Sequence, residues 1–378
     1  MAGCLQAILG LLRLHPARGA RILPGMPARA ALLTPFAFPS VRGNAVTVSR
    51  IARGLVRGGV EARVWDRSST DEATIEAEVE AFAPSIVHAF HAWRVGPLAL
   101  RLARRAEIPL VVTLTGTDAN HDLFDPGRAA GVRRVLEGAA GIVVFDDSIR
   151  TRVAGALPDV ASRIVRVPQA AELETAAPFD LDAAWPGLPS GRVVFAFPAG
   201  VRPVKRPLMP LAPLDAVAAR HRHLRLGYAG PLLDPEEGKA LLAELSHRPW
   251  ARYLGTVPHE AMASFLAQAD VVLNCSLSEG GMANSVLEAL ACGRAVLAAD
   301  IEGNRSLVAH DVSGLLFHDE TELAAMAERL VVDPALRARL GTAGRARVLA
   351  DFPPSREIEG YLAVYAAVWQ IACTRRGP

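Results

Sequence analysis

Residues 276–314 of this chain read SLSEGGMANSVLEALACGRAVLAADIEGNRSLVAHDVSG, and the fold is decided in and just before this stretch. The apolar run at 270–274 predicts a buried strand, and helical spacing from about Ser285 predicts a helix that carries Glu288. Between them lies a small-residue loop with Glu279 and two glycines. Glycines let backbone N–H groups approach a ligand, and a helix N-terminus adds donors with partial positive charge. Such a loop between two carboxylates suits a nucleotide sugar, because N–H groups hold phosphate and a carboxylate holds ribose hydroxyls.

The size and composition of the chain limit the classes of protein to consider. At 378 residues it is too long for one ordinary core, and two domains are expected. Hydrophobic residues make up 51% of the chain, which argues against disorder, and a net charge of +2 gives no reason to expect nucleic acid binding. The four cysteines show no paired spacing, so a reducing cytoplasm is the simplest predicted location.

The N-terminal region is first apolar and then rich in arginine. The apolar run at 4–14 is too short to span a bilayer, and no other run reaches ~18 residues, so we predict no transmembrane helix. The first 60 residues contain no acid but carry Arg13, Arg18, Arg21, Arg29, Arg42, Arg50, Arg53 and Arg57. This excess predicts either peripheral contact with an anionic membrane or substrate, or a solvated face. Residues 1–28 are set aside as an N-terminal extension, and Met26 is an alternative start.

Strands and helices alternate along the rest of the chain, which predicts parallel sheets covered by helices on both faces. Predicted strands cover 30–34, 62–65, 85–90, 110–114, 141–145, 193–197, 224–228, 270–274 and 295–299. The later predicted helices cover 208–220, 236–246, 259–267, 285–291, 320–349 and 355–374. The pattern therefore predicts an α/β fold of two doubly wound Rossmann-like domains facing a central cleft. These domains are assigned to 29–185 and 186–352, with a linker near 173–191 and a final segment at 353–378.

Two cations follow the first strand of the second domain. Arg202 and Lys205 lie on a loop constrained by two prolines, whereas Arg206 is predicted to face solvent. A leaving diphosphate develops negative charge that preorganised cations neutralise well. Alone, this loop is equally well interpreted as an ordinary basic surface loop. Together with the acidic loop downstream it favours a diphosphate site.

Polar residues also follow strands of the first domain, at the edge where parallel sheets collect ligands. In the segment at 88–91, His88 is predicted to be a satisfied core histidine and His91 to face the cleft. The segment at 113–118 reads TLTGTD and follows the next strand. The Gly-Asn pair that ends the segment at 40–44 precedes a helix, where it is also an ordinary cap.

The segment from Glu279 to Val296 resembles the retaining glycosyltransferases of family 4, which have the GT-B fold. The run EALACGRAV that begins at Glu288 fits the second half of their signature, whereas eight residues instead of seven separate the two acids. The match covers roughly residues 30–350. The resemblance implies a GT-B plan in which the last helix crosses back onto the N-terminal domain. It also implies no cofactor or metal beyond the nucleotide-sugar co-substrate, and the Asp180-x-Asp182 pair is interpreted as a helix cap.

The resemblance further implies roles for individual residues. Arg202 and Lys205 would clamp the donor diphosphate, and Glu279 would lie near the sugar as a catalytic residue. The remaining expected donor contacts are Gly43, Asn44, Gly230, Gly280, Gly281, Met282, Ala283, Asn284, Ser285 and, at the ribose, Glu288. Expected contacts to acceptor or sugar are His91, Thr117 and Asp118.

The activity implied by the resemblance is transfer of a hexose from a UDP- or GDP-linked donor to an unidentified acceptor, with retention of configuration. The Thr-Gly-Thr-Asp, Arg-Pro-Val-Lys and Glu-Gly-Gly pieces more weakly resemble the bacterial selenosugar synthases, which would use UDP-N-acetylglucosamine and a selenium nucleophile. A GT-B nucleotide-sugar 2-epimerase and a non-catalytic nucleotide-sugar binder are further alternatives. They differ from a transferase in a measurable way, since the first needs no acceptor and the second shows no turnover.

Overall fold

The computed structural model describes residues 29–37, 40, 43–173 and 177–376, which divide into two compact units. Of these residues, the first unit contains those up to Gln169 and those from Pro354 onward, and the second contains 170–353. The segment before residue 186 thus joins the second unit earlier than the sequence pattern indicated. The reason is local packing: Phe179 meets Phe265 edge-on, and the backbone N–H of Leu181 donates to Gln268. The predicted extension at 1–28 lies outside the described residues.

Each unit contains a six-stranded, fully parallel sheet, which confirms the predicted pair of Rossmann-like sheets. The first sheet has the order β2-β1-β3-β4-β5-β6, and its strands are β1 Arg29–Thr34, β2 Glu61–Asp66, β3 Ile86–Phe90, β4 Leu110–Thr113, β5 Gly141–Val144 and β6 Ile164–Arg166. The second has the order β12-β11-β10-β7-β8-β9, and its strands are β7 Val193–Pro198, β8 Leu224–Ala229, β9 Ala251–Tyr253, β10 Val271–Asn274, β11 Ala295–Ala299 and β12 Leu315–Phe317. The inner strands β3, β4, β10 and β11 are buried along their whole length, as expected for strands covered on both faces.

Helices connect the strands and cover both faces of each sheet. They are α1 Gly43–Arg57, α2 Glu72–Phe82, α3 Gly96–Arg105, α4 Ala129–Gly138, α5 Asp147–Ala156, α6 Leu181–Ala184, α7 Leu211–Arg220, α8 Pro235–Leu245, α9 His259–Ala267, α10 Asn284–Ala291, α11 Glu302–Arg305, α12 Glu320–Val332, α13 Pro334–Asp351 and α14 Pro354–Arg376. Several begin at an aspartate whose carboxylate accepts a backbone N–H three residues later, namely Asp71, Asp146, Asp180, Asp234, Asp319 and Asp333. Asp180 is thus a helix cap, as the sequence indicated.

The last helix, α14, belongs to the first unit and packs with α1 over one face of its sheet. Arg50 on α1 donates to both carboxylate oxygens of Glu357 at 2.7 and 2.9 Å, and both side chains are buried. Tyr365 on the same helix lies 2.7 Å from Nδ1 of His88, whose Nε2 lies 2.7 Å from Thr113 Oγ1. Burial lowers the pKa of His88 to about 3, so this residue is a neutral core histidine, as predicted. Within the described ranges, no helix is both long and apolar enough to cross a bilayer.

Candidate functional site

The second sheet reverses its strand order between β7 and β10, and the candidate site lies at that point. From β7 the chain builds outward through β8 and β9, and it then returns to β10 on the other side of β7. The connections that follow β7 and β10 therefore run in opposite directions along the sheet, and a crevice at such a position is where open α/β sheets bind ligands. The first of these loops is 199–210, and the second is 275–283.

The two loops meet through an ion pair between residues that the sequence had singled out separately. Nζ of Lys205 lies 2.5 Å from Oε1 of Glu279, and both side chains are largely buried. The backbone is joined as well, because the N–H of Leu277 donates to the carbonyl of Val204 at 2.9 Å. The β7 loop and the β10 loop thus form one connected surface at the switch point.

Glu279 has further donors that sequence inspection did not identify. Ser276 Oγ donates to the same Oε1 at 2.6 Å, and Asn274 Nδ2 donates to it at 3.2 Å. Burial alone would raise the pKa of Glu279, but the Lys205 ammonium and these hydrogen bonds outweigh burial and hold the pKa below its usual value. The carboxylate is therefore ionised at neutral pH. Asn304 extends the network, since its Nδ2 donates to Asn274 Oδ1 at 3.2 Å.

The basic residues on either side of Lys205 have different settings. Arg202 is half-buried and extended, with φ −166°, and it precedes the short 3-10 turn Pro203–Lys205. Arg206 was expected to face solvent, but it is half-buried and its Nε donates to the carbonyl of Cys275 at 2.8 Å. That expectation was wrong, and the backbone at Arg206 lies in the left-handed region, with a φ of +46°. Arg206 holds the β10 loop in place.

The small-residue loop after Glu279 continues directly into α10. The helix begins at Asn284, so Asn284 and Ser285 lie in its first turn, while Met282 and Ala283 bury their side chains just before it. Gly280 is half-buried, and Gly281 has a φ of +114°, which disfavours any residue with a Cβ. The first turn of α10 provides N–H groups that lack partners within the helix, as any helix start does.

Glu288 lies on α10 four residues after Asn284, and therefore on the same side of the helix. Its Oε1 is 3.1 Å from Nε2 of His259, the first residue of α9. Both side chains are mostly buried. His259 was not predicted as a site residue, because its contact with Glu288 joins two different helices.

Gly230 is placed where two loops of the second unit cross. Its φ is +154°, and a Cβ there would collide with the carbonyl of Ala199. Its N–H donates to the carbonyl of Gly255 at 2.9 Å, and its own carbonyl accepts from the Tyr253 hydroxyl at 2.8 Å. Gly230 thus brings the β8 loop against the start of the loop that carries Arg202 and Lys205.

In the first unit, the candidate residues lie at the carboxyl ends of β1, β3 and β4. Gly43 and Asn44 open α1, where Gly43 is exposed and Asn44 Nδ2 donates to Thr34 Oγ1 at 3.2 Å. His91 follows β3, and Thr117 and Asp118 follow β4. These five residues thus occupy one edge of the first sheet.

His91 was expected to be exposed to the cleft, but it is only 3% exposed. Its Nδ1 accepts the backbone N–H groups of Trp93 and Arg94, both at 3.2 Å, so the ring proton resides on Nε2. From there it is donated to Oγ1 of the exposed Thr117 at 2.9 Å. The backbone of His91 has a φ of +120°, a strained conformation of the kind that clusters at functional sites. The exposed hydroxyl of Thr117 is therefore oriented by its hydrogen bond with the buried His91 ring.

Asp118 is fully buried, and its carboxylate accepts four backbone N–H groups. The donors are Ala92 after β3 and Thr115, Gly116 and Ala119 after β4, at 2.9 to 3.1 Å. Asp118 thus joins the β3 loop to the β4 loop, and a direct contact with substrate would require those loops to rearrange. Among the described residues, no group of His, Cys, Asp and Glu side chains is arranged to hold a metal ion.

Comparison with known proteins identifies the family. Residues 192–333 match the family model "Glycosyl transferases group 1". The chain is 30% identical over 321 residues to the D-inositol 3-phosphate glycosyltransferase of Frankia alni, covering 79% of this chain and 77% of that protein. It is 26% identical over 305 residues to glycosyltransferase 1 domain-containing protein 1 of Xenopus tropicalis, covering 79% of this chain and 86% of that protein.

Solved structures show the same architecture. Anabaena HepE, solved in complex with UDP-glucose, superposes with a TM-score of 0.70 at 16% identity, over 93% of this chain and 100% of that chain. Sucrose-phosphate synthase from Thermosynechococcus elongatus superposes with a TM-score of 0.69 at 18% identity, over 92% and 98%. These likenesses confirm the predicted GT-B fold class. With the family match over the second sheet and the 30% identical relative, the chain belongs to the group 1 glycosyl transferases.

Proposed function

We propose that this glycosyltransferase moves a hexose from a UDP- or GDP-linked donor to an acceptor hydroxyl or other nucleophile with retention of configuration. The observation that supports a nucleotide-sugar donor best is the meeting of Lys205 and Glu279 at the switch point of the second sheet. A cation, a glycine turn and a helix start come together there, and these are the elements that bind a diphosphate. Retention is proposed from the resemblance of the two-acid segment to retaining enzymes.

In this proposal, the second unit stabilises the leaving nucleoside diphosphate. The Lys205 ammonium and the Arg202 guanidinium neutralise the charge that develops on the diphosphate as the bond to the sugar breaks. Backbone N–H groups between Gly280 and Ser285 hold its oxygens at the positive end of α10. Glu288, on the same side of that helix, accepts hydrogen bonds from the ribose hydroxyls.

The acceptor is proposed to contact the first unit, where the exposed Thr117 hydroxyl is held by His91. A UDP donor is supported by HepE, which has been solved with UDP-glucose and with UDP. The relatives named for D-inositol 3-phosphate make a polyol phosphate the first acceptor to test. Peripheral membrane association stays a prediction, since much of the arginine-rich segment lies outside the described residues.

The donor is tested by thermal unfolding in the presence of UDP-, GDP- and ADP-sugars. We expect one nucleotide class to raise Tm by about 2–4 °C at a hundredfold excess over Kd, because a ligand that binds only the folded state stabilises it. Lys205→Met should reduce the shift at the same ligand concentration. Lys239→Met is the matched control, since Lys239 is the chain's other lysine and lies exposed on α8.

Turnover then separates the candidate activities. If transfer is retaining, the NMR signal of the anomeric proton should show that the product has the same anomeric configuration as the donor. Epimer formed from donor alone would establish the 2-epimerase, and turnover only with a selenium nucleophile would establish the selenosugar synthase. A donor that binds without turnover across an acceptor panel would indicate a binder. A wild-type Tm unmoved by every nucleotide sugar would refute the donor proposal itself.

A further inference from the structure

We infer that Glu279 is a positioning residue that acts through Lys205, and that a buried chain of amides behind it fixes where the Lys205 ammonium meets a diphosphate. The inference rests on the proposed function, because the diphosphate belongs to the proposed donor. It assigns Glu279 a different task from the sugar contact that the family resemblance implies.

One carboxylate oxygen of Glu279 accepts hydrogen bonds from several protein donors. Oε1 of Glu279 accepts from Lys205 Nζ at 2.5 Å, from Ser276 Oγ at 2.6 Å and from Asn274 Nδ2 at 3.2 Å. The side chain is only 10% exposed. Three donors occupy this one oxygen, and they define its position to within a hydrogen-bond length.

Asn274, the last residue of β10, is itself oriented by hydrogen bonds. Its Oδ1 accepts from Ser276 N at 3.1 Å and from Asn304 Nδ2 at 3.2 Å, so its Nδ2 faces Glu279. Asn304 is completely buried, and its Nδ2 also donates to the carbonyl of Ala299 at the end of β11. Because an amide has distinct donor and acceptor ends, this series of hydrogen bonds allows only one orientation of each asparagine side chain. The position of the carboxylate is thus set by the carboxyl ends of two strands.

The Lys205 side chain is restricted as well. A lysine side chain has a flexible four-carbon stem and loses rotamer entropy when it is fixed. Lys205 loses this freedom in the folded protein, because Glu279 holds its ammonium and the 3-10 turn before it is tied to the β10 loop through Leu277. An ammonium has three N–H donors, and the contact with Glu279 uses one of them. A diphosphate can therefore bind Lys205 while Glu279 still holds it.

The test measures the affinity of UDP, with GDP in parallel, by isothermal titration calorimetry for wild type and Glu279→Gln. UDP lacks the hexose that is transferred, so a contact of Glu279 with that hexose alone predicts no change. By charge alone, removal of a carboxylate beside the site would strengthen the binding of an anion. We expect the opposite, a loss of roughly tenfold, because a neutral amide holds the ammonium less well. Unchanged or tighter UDP binding would overturn the inference.

Two further variants isolate placement from charge and from folding. Glu279→Asp keeps the charge but shortens the side chain by one methylene, and it should weaken UDP binding like Glu279→Gln. The double variant Lys205→Met/Glu279→Gln should bind UDP no more weakly than Lys205→Met alone, since Glu279 acts only through the lysine. Glu320→Gln, an exposed acid on α12, controls for the loss of one charge and should bind as wild type.

The outcomes also separate this inference from the proposed function. If wild type binds neither UDP nor GDP, the donor proposal fails and the inference falls with it. If wild type binds and Lys205→Met weakens binding while the effects of the two substitutions simply add, the donor proposal stands and only the inference is overturned. A kcat reduced by Glu279→Gln at unchanged UDP affinity has the same meaning, because it places Glu279 on the sugar.

Discussion

At the residue scale, the contact between Lys205 and Glu279 makes each side chain dependent on the other. Neither is fully solvated, with 14% and 10% of the side chains exposed, so each ion has exchanged water for its partner. Removal of one partner leaves a charge that the surroundings do not compensate. The pair therefore contributes to the stability of the second unit as well as to the proposed site.

The first prediction concerns the stability of this pair. Lys205→Met should lower the free energy of unfolding by about 2–4 kcal/mol, because it strands the Glu279 carboxylate in a largely buried position. Lys205→Met/Glu279→Gln should recover most of that loss. Urea unfolding at pH 7.5 measures both values. A double variant no more stable than Lys205→Met would mean that the pair is not the source of the loss.

Residue types alone allowed the polar candidates to be chosen, but not their surroundings. Lys205 and Glu279 were each chosen for their chemistry and were expected to serve one diphosphate site, but the direct ion pair between these residues, 74 positions apart, was not predicted. His91 and Asp118 follow buried strands, as cleft residues do, but each folds back to accept backbone N–H groups. Whether a loop residue turns outward or inward depends on its φ and on its neighbours in space, which a single sequence does not report.

At the element scale, the glycine turn before α10 owes its shape to α11. Gly303 on α11 packs so closely that an added Cβ would collide with the Gly281 carbonyl and lie 2.8 Å from the Cβ of Glu279. The short helix α11 therefore acts as the wall against which the loop 279–283 is formed. Asn304, the next residue of the same helix, supplies the amide behind Asn274.

The second prediction tests whether α11 determines the shape of the glycine turn. Gly303→Ala should displace the turn, lower the stability by about 1–3 kcal/mol and weaken UDP binding, because backbone atoms must move to admit the methyl group. Calorimetry and urea unfolding report the two effects. Gly155→Ala is the control, since a Cβ there meets nothing within 4 Å and Ala favours the helix in which it lies. Equal UDP affinity in Gly303→Ala and wild type would show that α11 does not shape the site.

Element prediction from the sequence succeeded for long apolar runs and failed for short edges. All nine predicted strands are present, whereas Ile164–Arg166, Ala251–Tyr253 and Leu315–Phe317 were not predicted. Each missed strand has three residues and is an outer strand of its sheet, and in two of the three only the first residue is buried. Three residues are too few to establish a period, so neighbouring strands define them.

At the scale of the whole molecule, the alternation of strands and helices was enough to predict two Rossmann-like sheets. The boundary between units was less visible, because the segment around Phe179 joins the second unit through contacts with α9. The role of α14 in closing the first core also depends on distant partners. His88 and Tyr365 are 277 positions apart, and no local pattern predicts their contact.

The third prediction concerns this contact and pH. His88 has a pKa of about 3 in the folded protein, against 6.5 as the ordinary value, so unfolding below pH 6.5 takes up a proton. The stability that the neutral ring contributes is complete above pH 6.5 and is lost as the pH falls toward 3. Between pH 7 and pH 5, wild type should lose about 2 kcal/mol more than His88→Gln. Parallel losses in urea unfolding at the two pH values would show that His88 does not titrate on unfolding.

The return of α14 to the first unit affects the order of events on the ribosome. The second unit is continuous in sequence and can complete its core as soon as it has been synthesised, whereas the first waits for the final helix. Until then, the apolar face around Leu32, Phe90 and Val143 has no cover from Tyr361 and Val364. The nascent chain therefore exposes an apolar surface through most of translation. A chaperone that shields this surface should raise the yield of soluble protein.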